Sequence, residues 1–154
     1  MDSVPLRALV NSKETPSIET ICTEFMISII DTSAWVEYFE GSAKGIFLKN
    51  LLEDKKNKFV TMESCIAELV GVSLRQGLDF RQLKTFVKEN SVILPILTET
   101  WISAAKIRHV VRKTRPQFGL LDALLLAKQK ELNCSLISSD SHFKALKNVV
   151  YIGD

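Results

Sequence analysis

The feature that most constrains the fold is an apolar stretch, Met-Ile-Ser-Ile-Ile at residues 26–30, which stops at an aspartate. An apolar run rich in β-branched residues is typical of a strand buried on both faces, as in a parallel sheet. A helix is predicted directly after it, to about residue 40, with Thr32 or Ser33 as its cap. Asp31 therefore lies where a buried strand meets a helix, which is the edge at which open α/β sheets bind ligands.

Apolar runs alternate with helical periodicity along the rest of the chain. Strands are predicted at 58–61, 92–94, 134–137 and 149–152, and helices at 44–54, 63–76, 79–89, 99–113, 119–133 and, briefly, 142–146. Thr61 is the predicted cap of the helix at 63–76, and Gly77 and Asn133 are predicted to end the helices before them. The alternation predicts an α/β fold, an α/β/α sandwich with a mostly parallel sheet of four or five strands.

The chain is divided at Met26. Residues 1–25 contain Pro5, Pro16 and many polar residues without a sustained period, which predicts a loosely attached extension or a start assigned too far upstream. Residues 26–154 form the predicted domain. The net charge of +2 combines −2 on residues 1–25 with +4 on the remainder, a mild excess that permits a nucleic-acid partner without requiring one.

Several protein classes are excluded by what the sequence lacks. It contains no apolar run of membrane-spanning length and no signal-peptide pattern near the start, so we expect a cytoplasmic protein. Its three cysteines, Cys22, Cys65 and Cys134, are widely spaced and include no C-x-x-C pair, which fits a reducing compartment. Only His109 and His142 are available for a histidine-based site.

Two further carboxylates lie on predicted helices. Glu68 borders the apolar arc of the helix at 63–76, which makes it a candidate site residue. The alternative to a site role is a solvated glutamate at the edge of the apolar face. Asp122 lies in Gly-Leu-Leu-Asp-Ala-Leu-Leu-Leu-Ala at residues 119–127, a helix start that is apolar nearly all round and therefore expected to be buried. The alternative for Asp122 is a carboxylate at the third helical position, which the helix dipole favours.

A fourth carboxylate, Asp140, follows the predicted strand at 134–137, with Ser138 and Ser139 before it. Its alternative role is that of a turn or cap before a short helix. If the four carboxylates converge without basic partners, they repel one another unless they are protonated or bridged by divalent cations. Sites built from oxygen ligands suit Mg²⁺ or Mn²⁺, and a pair of such ions promotes phosphodiester hydrolysis.

The four motifs together resemble the PIN domain family and, within it, the VapC-type toxin ribonucleases. They are Asp-Thr-Ser after a first strand at 31–33, Glu-Leu on a helix at 68–69, Asp-Ala opening an apolar helix at 122–123, and Ser-x-Asp with a following Phe at 138–143. The resemblance covers residues 26–152. Many members carry a second acidic residue two positions after the last aspartate, where this chain has His142, so the number of bound ions stays open.

The resemblance implies a Mg²⁺- or Mn²⁺-dependent endoribonuclease with an RNA substrate, a frequent homodimer, and in toxins a cognate antitoxin protein. By resemblance, Asp31, Asp122 and Asp140 ligate metal, and Glu68 ligates it or orients a water molecule. Ser33 and Ser138 would support these ligands.

Other functions remain to be weighed. A housekeeping RNA-processing nuclease and a non-catalytic PIN-like RNA-binding or scaffold protein are the alternatives; loss of a carboxylate would favour the latter, and none is lost. The sequence lacks the residue patterns of a receiver domain, a haloacid-type phosphatase and a phosphate-loop protein. Basic residues near the predicted helix at 99–113 are candidates for RNA binding or are simply a solvated basic face. They are Arg108, Arg112, Lys113 and Arg115.

Overall fold

A central strand, β1 (Met26–Ile30), organises a five-stranded sheet in the computed structural model, which describes residues 26–154. All strand pairs are parallel, in the order β3-β2-β1-β4-β5. The other strands are β2 (Asn57–Met62), β3 (Val92–Leu94), β4 (Ser135–Ser138) and β5 (Val149–Tyr151). The predicted α/β class and parallel sheet are confirmed. The predicted extension, 1–25, lies outside the described residues.

The strand order places a switch point between β1 and β4. From β1 the chain builds outward through β2 to β3 and then returns to add β4 and β5 on the other side of β1. The connections leaving β1 and β4 therefore diverge, and a crevice opens at the carboxyl ends of these two strands. Asp31 follows β1 and Asp140 follows β4, so both predicted site residues lie at this crevice.

Six α-helices connect the strands. They are α1 (Thr32–Phe39), α2 (Ala43–Glu53), α3 (Glu63–Gln76), α4 (Phe80–Asn90), α5 (Thr98–Val111) and α6 (Leu120–Leu132), and a 3₁₀ turn spans Ser141–Phe143. Gly77 (φ 66°) and Asn133 (φ 46°) take left-handed conformations after α3 and α6, as predicted from their position and residue type. None of the helices within residues 26–154 has the length and apolar character of a membrane-spanning segment.

The sheet is covered by two apolar clusters, one on each face. Neighbouring residues of β1 point to opposite faces, so Ile29 joins the cluster formed mainly with α6, and Ile30 joins Trp35 and Leu48 in the other. The Trp35 indole nitrogen also donates a hydrogen bond to Thr61 Oγ1 (3.1 Å). This bond ties α1 to β2 directly behind the site.

Two predicted helix caps are wrong. Asp31 has extended backbone dihedrals and occupies the cap position of α1, so Thr32 and Ser33 already belong to the helix. Thr61 lies within β2, and Met62 precedes α3. In both cases at most one residue separates the strand from the helix. The hydroxyl residues that the sequence suggested as caps therefore lie inside the helix or the strand.

Two other local predictions need correction. The start of α6 is not buried all round, because Leu120 and Leu121 are 38% and 37% exposed. Asp122, on the same turn, is only partly buried. The short helix predicted at 142–146 is a 3₁₀ turn at Ser141–Phe143, since Ala145 has a positive φ of 63° that no helix accommodates.

Candidate active site

The site begins at Asp31, which is almost completely buried (6% exposed) at the carboxyl end of β1. Its carboxylate oxygen Oδ2 accepts hydrogen bonds from the hydroxyls of Ser33 and Ser138, both 2.7 Å away. Burial raises the pKa of Asp31 from 3.8 to about 6, because the charged form loses its hydration. The two hydroxyl bonds oppose this rise, and the nearby Glu68 charge adds to it.

The two serines also connect Asp31 to the segment that follows β4. Ser33 Oγ accepts a hydrogen bond from the backbone N–H of Ser139 (3.0 Å). Ser138 Oγ accepts one from the backbone N–H of Asp140 (3.0 Å). Each hydroxyl therefore donates to the carboxylate of Asp31 while accepting from the backbone that carries Asp140. The network fixes the relative positions of two carboxylates that are more than 100 residues apart in sequence.

Glu68 reaches the crevice from α3. Its Oε2 accepts a hydrogen bond from Thr32 Oγ1 (2.5 Å), a contact that the sequence did not indicate. Burial raises the pKa of Glu68, the Thr32 bond opposes the rise, and the charges of Asp122 and Asp140 add to it. Glu68 is therefore close enough to Asp31, Asp122 and Asp140 for their negative charges to repel one another.

Cys65 lies one helical turn before Glu68 on α3 and is fully buried. Ligand atoms of Asp31, Cys65 and Glu68 are all within 4.8 Å of one another. Burial raises the pKa of the Cys65 thiol to about 12, so this group stays protonated beside the carboxylates. Cys65 is therefore a neutral packing neighbour of the site.

Asp122 and Asp140 form a second group with His142. The imidazole Nδ1 lies 3.2 Å from Asp122 Oδ2 and 3.6 Å from Asp140 Oδ1. Both aspartates also make the local bonds that the sequence offered as alternatives. Asp122 Oδ2 accepts from the Gly119 N–H (2.9 Å) at the start of α6, and Asp140 Oδ1 accepts from the His142 N–H (2.8 Å). Each of these carboxylates therefore makes a local bond and also faces the cleft.

The carboxylates of both groups line one open cleft of about 550 Å³. All four carboxylates line this cleft. The rest of the lining comes from α1, α3 and the segment after β4, and consists of Thr32, Ser33, Val36, Glu37, Gly71, Val72, Arg75, Gln76 and Ser139. A larger groove of about 650 Å³ between α5 and α6 is lined mainly by apolar and basic side chains and contains no carboxylate. Of these two cavities, only the acidic cleft contains the carboxylates that the sequence predicted as site residues.

Sequence analysis did not predict the contacts of three residues in this region, although it noted that His142 stands where many family members have an acidic residue. Thr32 bonds to Glu68, Arg75 lines the cleft, and His142 contacts two of the carboxylates. A signal existed for Arg75, which lies seven positions after Glu68 and so projects from the same face of α3. No sequence signal pointed from Thr32 to Glu68, since that contact depends on how α1 packs against α3.

The proposed RNA-binding cations do not line the cleft. Arg112 Nε donates to the Pro116 carbonyl (2.8 Å). Arg115 donates to the carbonyls of His142 and Lys144 (both 2.8 Å), so its guanidinium holds the loop after β4. Arg108 is partly buried, and its Nε has no hydrogen-bond acceptor among the described residues. Lys113 is exposed. Arg112 and Arg115 thus have structural partners, and RNA binding by these four residues stays a prediction.

The donor set fits a hard divalent cation. Asp31, Glu68, Asp122 and Asp140 all offer carboxylate oxygens, and within residues 26–154 none of them forms an ion pair with lysine or arginine. Burial and mutual repulsion raise the pKa of Asp31 and of Glu68, because both disfavour the charged carboxylates. A bound cation would offset this repulsion and stabilise the charged forms. Carboxylate-rich sites of this kind select Mg²⁺ or Mn²⁺.

The chain belongs to the PIN domain family, since the model of this family matches residues 28–149. Comparison with curated proteins gave no match in sequence. The fold is similar to VapC20 of Mycobacterium tuberculosis, a Sarcin-Ricin loop cleaving toxin, with a TM-score of 0.63 and 18% identity over 79% of this chain and 96% of that chain.

Two assemblies contain similar chains. One is a toxin-antitoxin complex from Klebsiella pneumoniae, with a TM-score of 0.60 and 18% identity over 82% of this chain and 98% of that chain. The other is VapBC2 from Rickettsia felis bound to a DNA fragment from its promoter, with a TM-score of 0.61 and 17% identity over 82% and 97%. At such identities the similarity establishes a shared fold.

Proposed function

We propose that residues 26–154 form a divalent-metal-dependent endoribonuclease that hydrolyses RNA phosphodiester bonds. The observation that carries the proposal is the convergence of four carboxylates, from β1, α3, α6 and the end of β4, in one open cleft. Membership of the PIN domain family, a family of nucleases, supports it. The cleft is open to solvent, so an extended RNA strand can reach the carboxylates.

The carboxylates have separable roles in this proposal. Asp31, Asp122 and Asp140 would hold the ion, which when bound supplies an activated water and stabilises charge on the leaving oxygen. Ser33 and Ser138 fix the orientation of Asp31. Glu68 would ligate the ion or orient a water molecule beside it, and the charges of Asp122 and Asp140 that raise its pKa place it next to the other carboxylates.

Substitution of single carboxylates tests this proposal. Asp31→Asn and Asp122→Asn should each lower the rate of RNA cleavage roughly 100-fold or more, and a chelator should abolish cleavage by the parent. Asp79→Asn is the matched control, because Asp79 caps α4 on the surface and asparagine caps equally well. Single-turnover cleavage of defined RNAs with Mg²⁺ or Mn²⁺ is the measurement. A folded Asp31→Asn or Asp122→Asn protein that cuts at the parent's rate would refute the assignment.

We further propose that the protein is the toxin of a toxin–antitoxin pair, acts in the cytoplasm and forms a homodimer. The support is the fold shared with chains of toxin–antitoxin complexes. The expected results are a small antitoxin gene directly upstream, co-purification of its product with this chain, and a dimer mass by light scattering. A genomic position without such a gene, together with cleavage of one ribosomal or transfer RNA precursor, would favour a housekeeping nuclease instead.

A further inference from the structure

The second group of the cleft contains a nitrogen atom among its possible ligands. Asp122, Asp140 and His142 each offer one atom, and the three atoms lie within 4.8 Å of one another. The imidazole Nδ1 is turned toward both carboxylates, at 3.2 Å from Asp122 Oδ2 and 3.6 Å from Asp140 Oδ1. The other carboxylates of the cleft, Asp31 and Glu68, have no histidine beside them, since the only other histidine, His109, is on the exposed face of α5.

These separations match those between ligands of one ion. An octahedral ion with bonds of about 2.1 Å places adjacent ligand atoms about 3.0 Å apart and opposite ones about 4.2 Å apart. The two distances from the imidazole nitrogen, 3.2 and 3.6 Å, lie between these values. Small side-chain adjustments therefore suffice to bring all three atoms onto one ion.

The position of His142 is fixed by the surrounding structure. Its backbone N–H donates to Asp140 Oδ1 (2.8 Å), and its carbonyl accepts from Arg115 (2.8 Å). Its ring approaches that of Phe118 edge-on, with centroids 6.2 Å apart. Because the backbone of His142 is held and its ring packs beside Phe118, the ring already faces the two carboxylates without a backbone change.

We propose that His142 Nδ1 is a direct ligand of the ion held by Asp122 and Asp140, and that it makes the site prefer Mn²⁺ to Mg²⁺. The inference rests on the metal site of the proposed function and adds the identity of the ion. Mg²⁺ strongly favours oxygen ligands, whereas imidazole binds later first-row metals with greater affinity. One imidazole nitrogen among carboxylate oxygens therefore raises the affinity for Mn²⁺ relative to Mg²⁺, while the ligand set stays mainly oxygen.

Direct spectroscopy of the bound ion tests the ligand. In the full chain loaded with Mn²⁺, pulsed electron paramagnetic resonance should show a ligand-nitrogen coupling. Incorporation of ¹⁵N-histidine should convert this coupling to that of ¹⁵N, which requires no substitution. Since the chain has only two histidines, His109→Asp should keep the signal and His142→Asp should lose it.

Calorimetry of the same proteins tests the preference. The parent and His109→Asp should bind Mn²⁺ more tightly than Mg²⁺, and His142→Asp should reduce the ratio of the two dissociation constants roughly tenfold or more. Absence of histidine-nitrogen coupling in the labelled parent overturns the inference, as does an unchanged ratio in folded His142→Asp. Nitrogen coupling in a protein that cleaves no RNA would sustain the metal site while refuting the nuclease. RNA cleavage without nitrogen coupling would refute only the role of His142.

Discussion

Asp31→Asn should make the metal-free protein more stable at neutral and alkaline pH, although it removes a proposed ligand. The pKa of Asp31 is raised from 3.8 to about 6 in the folded protein, mainly by burial. The folded state therefore binds the proton more tightly than the unfolded state does. Stability from this group is fully present below pH 3.8 and is lost as the pH rises through 6.

The magnitude follows from the two pKa values. Above pH 7 the ionisation of Asp31 lowers the free energy of unfolding by about 3 kcal/mol relative to the protonated form. This value is the pKa difference of about 2.2 multiplied by 1.36 kcal/mol per pKa unit. Between pH 5 and pH 8 the loss is about 1.4 kcal/mol, because the unfolded chain is already ionised at pH 5. Asparagine has no such loss, and its side-chain oxygen still accepts from Ser33 and Ser138.

The assay is urea unfolding in a chelator at several values between pH 5 and pH 8, comparing the parent with Asp31→Asn. The stability of the variant relative to the parent should increase by about 1.4 kcal/mol across this range. Other groups titrate in both proteins and cancel in the difference. Asp79→Asn, at the exposed cap of α4, should run parallel to the parent. Parallel profiles for Asp31→Asn and the parent would show that Asp31 is not desolvated and would refute the reasoning.

Adding the ion completes the test. By the proposal, Mn²⁺ should bind the folded state and stabilise the parent at pH 8 by more than it stabilises Asp31→Asn. The variant would then be the more stable protein without the ion and would gain less when the ion is added. A carboxylate that destabilises the metal-free fold and stabilises the metal-bound one is the behaviour expected of a ligand.

Three further outcomes are expected. Arg75→Ala, in the cleft wall, should weaken RNA binding by a metal-free, inactive protein and reduce its salt slope by about 0.7, whereas Arg81→Ala on α4 should change neither. Arg115→Ala should lower the free energy of unfolding by about 2 kcal/mol in urea titrations, because two carbonyls lose a charged donor, and Lys113→Ala should not. Deletion of residues 1–25 should leave the thermal midpoint and RNA cleavage unchanged; a large fall in either would make that segment part of the domain.

The strands and the edge where the site lies were predictable from the sequence, because both depend on local patterns. The apolar run ending at Asp31 and the second run ending before Asp140 show where buried strands stop. Parallel strands then bring such ends together at one edge of a sheet. The helix boundaries at Gly77 and Asn133 follow equally from residue type, since both residues tolerate the left-handed conformation.

The contacts that complete the site were not predictable, because they join residues remote in sequence. Thr32 meets Glu68 across 36 positions, and Arg115 meets the carbonyl of His142 across 27. Nothing in the spacing of these residues encodes the packing of α1 on α3 or the path of the loop after β4. For the same reason, the sequence did not show that Arg115, a member of a basic run, also bonds to the loop after β4.

Asp122 makes a helix-start bond and also lines the cleft, so its local bond is compatible with the proposed ligand role. Its Oδ2 accepts from the Gly119 N–H at 2.9 Å, which holds the carboxylate in one orientation. A Cβ on residue 119 would lie only 3.2 Å from that oxygen, so glycine leaves the carboxylate room to sit where it does. The cap thus orders the side chain during folding, and the ordering entropy need not be lost again when an ion binds. A helix-start signal in the sequence is in this way part of the construction of the site.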